Sequence, residues 1–159
     1  KGTHYILPII ERVNNRVQKK ITTNLIMGKT NAEALLEKEK CDIYIDCLST
    51  AQDIGGAGVA QNSHESLALG KITICSMDNF YLSFYPDAPI FSSTIEDLED
   101  LILNILNNPG IVKEKMKNSK SWLMQFSPNL MMKRYLQIYQ YIITGDQVVN
   151  SFDRFFKIF

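Results

Sequence analysis

Three features of the sequence predict an α/β fold in which a parallel sheet is covered on both faces by helices. Short β-branched runs alternate with longer segments of helical period. Glycines punctuate the changes between them, Gly28 after one apolar run and Gly70 after a helical one. The chain has 159 residues, 45% of them hydrophobic and 21% charged, which is ordinary for a globular domain. A chain of this size buries roughly 70% of its unfolded surface and needs no staples to hold a core.

Each element has its own local signal. Tyr5, Ile6, Ile9, Ile10 and Val13 recur at helical spacing, so residues 3–18 read as an amphipathic helix. ITTNLIM at 21–27 is β-branched and ends at Gly28, which predicts a strand. Residues 31–40 are rich in Ala, Leu, Glu and Lys, a helix with Asn31 as its cap. DIYIDC at 42–47 is a short strand, and residues 49–58 form a polar, glycine-bearing loop. Residues 59–69 are helical by composition and stop at Gly70; ITIC at 72–75 is the next strand, and Pro89-Ile90-Phe91 a short fourth.

Thr94 followed by Asp97 resembles a capping box, with Glu96, Asp97, Glu99 and Asp100 suited to a helix start. That helix runs to about Asn107 and is stopped by Pro109. Helices over about 110–125 and 128–143 come next, divided by Pro128. The tail from Asp146 to Phe159 has apolar residues at helical spacing. We therefore expect one domain over 1–144 and a helical tail over 145–159.

Net charge is zero but unevenly spread. Residues 51–109 carry one Lys against eight acids, whereas 110–159 carry eight bases against three acids. Zero net charge without interleaved basic and aromatic patches argues against nucleic acid as a partner. No run of about 20 apolar residues exists, so no membrane span is expected. Lys113, Lys115, Lys117 and Lys120 beside Trp122, Leu123 and Phe126 fit either a solvated face over a packed Trp or a peripheral membrane contact. The first residue is Lys and no signal peptide opens the chain, which reads as a piece of a longer protein. Cys41, Cys47 and Cys75 are odd in number and lack C-x-x-C spacing, which suits buried, reduced thiols in a cytoplasmic protein.

A parallel sheet binds ligands in the crevice beyond the carboxyl ends of its strands, and the loop 48–58 enters a helix at that edge. Glycines there let a ligand approach the backbone. Amides of Gly58, Val59, Ala60 and Gln61 would face an anion such as a diphosphate. Glu65 lies four residues after Gln61, on the same helical face, where a carboxylate accepts hydrogen bonds from vicinal hydroxyls of a ribose. A capped surface helix with Glu65 facing water fits the same spacing. His64, beside it, reads as a structural histidine.

Two other motifs fail. Gly28-Lys29-Thr30 ends like a P-loop, but Thr23 stands where the earlier glycine belongs. Gly56-Ala57-Gly58 begins a dinucleotide fingerprint whose third position is Gln61, and Asp78 follows the wrong strand for its acid.

From Lys1 to about Tyr139 the order of blocks resembles the C-terminal, donor-binding lobe of GT-B-fold glycosyltransferases, in the large group that includes many retaining bacterial enzymes. The blocks are Lys1-Gly2-Thr3, NLIMG, NAEALLEKEK, CDIYIDC, HESLALGKITI and APIFSSTIEDLEDLILNILNNP, with basic helices after them. The resemblance implies a three-layer, Rossmann-like sheet and a nucleotide diphosphate sugar as donor. It implies no metal, in keeping with the lack of an Asp-x-Asp motif, and no cofactor beyond that donor.

By position in the resemblance, Glu65 matches the second glutamate of the family's pair, which grips the donor ribose, and Lys1 the lysine that binds the diphosphate. Gly58, Val59, Ala60 and Gln61 match the amide-donating turn, and Gly28, Lys29 and Thr30 lie near the base. Ala57 stands where the pair's first glutamate belongs. Asp46 matches an acid of a variant subgroup that also lacks it. An acceptor glycan, lipid or protein would be held by an N-terminal lobe that this chain does not contain, so the piece alone would bind donor without transferring it. Relatives that build envelope polysaccharides on lipid carriers suggest the cytoplasm, at the inner face of the membrane. The other reading is a degenerate, non-catalytic lobe kept as an interaction module.

Overall fold

The structure is a computed structural model that describes residues 3–50 and 59–144. Among these residues the fold is α/β with a three-stranded parallel sheet, β1 (Ile43–Ile45), β2 (Ile72–Cys75) and β3 (Phe91–Ser92), in the order β1-β2-β3. Helices α1 (Thr3–Arg16) and α2 (Asn31–Glu39) precede the sheet. Helix α3 (Gln61–Ala68) lies between β1 and β2, and α4 (Asn79–Phe84) between β2 and β3. Beyond β3 come α5 (Leu98–Asn107), α6 (Pro109–Met116), α7 (Ser119–Met124) and α8 (Pro128–Thr144). The chain divides into two compact units, Lys1–Lys120 and Ser121–Phe159.

The period-2 alternation of the strands sorts the layers of the first unit. Register pairs Ile43 with Ile72, Ile45 with Ile74, and Ile74 with Phe91. These residues meet Ile9, Ile10 and Val13 of α1 and Leu98, Ile102 and Ile105 of α5 in one apolar cluster. On the other face, Thr73 Oγ1 lies 2.6 Å from Ser66 Oγ of α3, and Tyr44 lies under Lys38 of α2. One face is thus covered by apolar packing, and on the other polar pairs join the strands to α2 and α3.

Local sequence explains most boundaries. Helix α2 begins with a reciprocal capping box, the Thr30 side chain accepting from the Glu33 N–H while Glu33 accepts from the Thr30 N–H. The cap is therefore Thr30, not Asn31. Helix α3 ends in a Schellman motif: the Lys71 N–H donates to the Ser66 carbonyl and the Gly70 N–H to that of Leu67. That geometry needs a left-handed residue, and Gly70 has φ +72°. The capping box expected at Thr94 is not formed at the start of α5: Thr94 Oγ1 accepts from the Asp97 N–H and donates to the Asp97 carboxylate, but the helix begins at Leu98, and its N-cap residue Asp97 makes no side-chain cap hydrogen bond.

Other expectations also differ from the structure. Residues 21–27 form no strand, because the Asn14 side chain takes both the N–H and the carbonyl of Ile21. Tyr5 is half exposed and stacks on His4 instead of joining the apolar stripe of α1. Helix α4, unforeseen, starts where the Asp78 carboxylate accepts from the Tyr81 N–H. The segment expected as one helix over 110–125 is two, α6 and α7, interrupted at Lys117–Asn118.

In the second unit, α8 runs from Pro128 to Thr144, and Trp122 packs on Phe126 with ring centroids 4.9 Å apart. Met132, Tyr135, Leu136, Tyr139, Ile142 and Ile143 recur at helical spacing along α8, and all are exposed. No described helix is long and apolar enough to cross a membrane.

Candidate functional site

The carboxyl ends of the strands are tied together by hydroxyl groups. Ser76 Oγ accepts from the Ser49 N–H at 2.8 Å and donates to the Ser93 carbonyl at 2.6 Å. The Ser76 N–H donates to the Cys47 carbonyl, and the Ile95 N–H to that of Ser49. Ser76 and Ser93 are buried, so these bonds satisfy groups that water cannot reach. The segments after all three strands are thereby held in one rigid edge.

Helix α3 is anchored to that edge by Asp46, the residue after β1. Its Oδ2 accepts from Ser63 Oγ at 2.7 Å, and its N–H donates to the Ile74 carbonyl. Ser63 is fully buried, which makes Asp46 a strand-end acid that fixes the first turn of the helix. At the helix start, Ala60 is the N-cap residue and supplies no side-chain hydrogen bond. The first-turn amides of Gln61 and Asn62 precede any intrahelical acceptor.

Glu65 stands one turn deeper, about 6 Å along the axis from Gln61. Its Oε2 accepts from Lys38 Nζ at 2.6 Å, and its Oε1 from Gln61 Nε2 at 3.0 Å. The Lys38 ammonium also donates to Asn62 Oδ1 at 3.0 Å and sits 5.0 Å from the centre of the Tyr44 ring. Lys38 is only 1% exposed, whereas the Glu65 side chain keeps 17% of its surface. Burial, with the charges of Asp46 and Glu65 nearby, pushes the Tyr44 phenol up to about 12, so it stays neutral. Burial lowers the pKa of His64 on the same helix and pushes the Cys75 thiol up to about 12.

No protein-family model matches the chain, nor does any curated protein or solved structure. Lys1 and Gly58, and Ala57 with them, lie outside the described residues. Val59, Ala60, Gln61 and Glu65 are described, and Gln61 and Glu65 are brought into contact. Gly28 takes φ +64°, and Thr30 is committed to capping α2. Lys29 adds to the field that lowers the pKa of Glu37, after the larger effects of Lys40 and Asn24.

Lys38 was missed by sequence reasoning. It lies four residues after Ala34 and three after Leu35, so it continues the inward stripe of α2, and that spacing was the available signal. Of the lysines noted over 113–120, Lys113, Lys117 and Lys120 are exposed. Lys115 is partly buried, and its pKa is lowered by desolvation against the opposing pull of Asp87.

The arrangement offers two complementary functions. Helix-start amides favour an anion, and a carboxylate one turn in accepts hydrogen bonds from hydroxyl groups. Both lie at the carboxyl edge of a parallel sheet, where such folds bind ligands.

Proposed function

We propose that this chain is the donor-binding lobe of a metal-independent GT-B-type glycosyltransferase, holding a nucleoside diphosphate sugar at the start of α3. The observation that carries the reading is Glu65: a carboxylate kept partly accessible, one turn inside a helix whose first amides have no side-chain cap. The order of sequence blocks from Lys1 to Tyr139 supports the same assignment. The first-turn amides of Gln61 and Asn62 would stabilise the charge that builds on the departing diphosphate. Glu65 would accept from the adjoining ribose. The acceptor hydroxyl would come from another lobe.

Exposed Lys113, Lys117 and Lys120 and the apolar stripe of α8 support placement at the cytoplasmic face of a membrane. The same stripe favours a second reading, a non-catalytic lobe acting as an interaction module.

Calorimetry with UDP and GDP on the wild type and Glu65→Gln separates the two. The donor-lobe reading expects binding of at least one nucleotide, weakened by the substitution. No heat from either nucleotide supports the interaction module instead.

A further inference from the structure

We infer that Lys38 is a positioning residue for Glu65, holding the carboxylate oriented so that it receives the hydroxyls of a ribose. The inference rests on the donor-lobe reading and deepens it at the same site.

A buried lysine needs a reason. Its ammonium has three donors. One goes to Glu65 Oε2 and one to Asn62 Oδ1, while the Tyr44 ring lies within cation–π range. Two of the three donors of Lys38 are thus taken by residues of α3, with the Tyr44 ring of β1 beside the charge. Such a buried pair is a poor way to gain stability, since apolar residues of similar volume close an interface at no greater cost. What the pair does supply is a fixed carboxylate.

The asymmetry of burial points the same way. The cation is sealed, whereas the anion retains access. A carboxylate has about four acceptor directions, and here one bond falls on each oxygen. The bond to Oε2 comes from the buried Lys38 ammonium. The bond to Oε1 comes from the exposed Gln61 side chain on the outward side, the position an incoming hydroxyl would take. Lys38 therefore sets the back of the acceptor, and Gln61 fills its front until a ligand arrives.

The test compares ribose with deoxyribose. Wild type, Lys38→Met, Glu65→Gln and the double variant are titrated with UDP, GDP and their 2′-deoxy counterparts, after circular dichroism shows that each variant is folded. The wild type should prefer the ribonucleotide, and each single variant should lose on the order of tenfold in affinity, as expected for a charged hydrogen bond. The preference should fall toward one in both, with no further loss in the double variant. A merely structural lysine would weaken both sugars equally. A folded Lys38→Met that keeps the wild-type preference overturns the inference and leaves the donor-lobe reading intact. A wild type that binds neither nucleotide overturns both.

If Lys38→Met does not fold, the wild type decides by NMR of its 15N-labelled lysines. The Lys38 Nζ resonance should shift on adding the bound nucleotide and shift less with the 2′-deoxy form. An unmoved resonance at saturation contradicts the inference.

Discussion

Lys38 Nζ lies 2.6 Å from Glu65 Oε2, joining α2 to α3 across 27 positions of sequence. Removing one partner of a buried ion pair leaves the other charge uncompensated, which costs about 3–5 kcal/mol. Because Lys38 is the buried member, Glu65→Ala should cost about 3 kcal/mol in urea unfolding. The double variant Lys38→Met with Glu65→Gln should recover most of it. A loss below about 1 kcal/mol for Glu65→Ala would mean that the ammonium is solvated.

The first turn of α3 depends on Ser63. Its hydroxyl donates to the Asp46 carboxylate from a fully buried position. Ser63→Ala removes a charge-assisted bond and should cost about 2 kcal/mol by denaturant titration. Asp46→Asn, which retains an acceptor, should cost less.

Thr30 closes the start of α2 by a capping box. Thr30→Ala should lower stability by about 1 kcal/mol, and Thr30→Ser should restore most of it. Equal losses in the two variants would show that the methyl group, not the hydroxyl, is what matters.

His64 sets a pH dependence. Burial lowers its pKa from the ordinary value of 6.5, so the unfolded chain binds the proton more readily. Its contribution is fully present above pH 6.5 and is lost as pH falls through that value toward the lower folded one. Melting temperature should therefore drop between neutral pH and about pH 5, and His64→Gln should flatten that part of the curve. A wild type and a variant with parallel curves would contradict the assignment.

How much the sequence could reveal depended on the range of the interactions involved. DIYIDC and ITIC were legible as strands because β-branched residues cluster in both, and they pair with each other in the sheet. Gly70 was legible because a Schellman motif needs its positive φ. The cap of α2 is Thr30 where Asn31 was expected; the signal for it is local, since Glu33 three residues later completes a capping box. ITTNLIM misled because strand propensity presupposes a ladder, and Asn14 had already taken the groups of Ile21. In the candidate site, the place of Glu65 on its helix was readable, but its pairing was not. Lysine is ordinarily solvated, and only contact between α2 and α3 makes Lys38 a buried partner.

In the proposed donor lobe the first-turn amides of α3 would hold a diphosphate while Glu65 receives the ribose. This arrangement is tested most directly by following backbone amide resonances as UDP or GDP is added. The Gln61 and Asn62 amides should move furthest, and Glu65→Gln should weaken the effect. Saturable binding that leaves those two amides unmoved, or no binding at millimolar nucleotide, would contradict it.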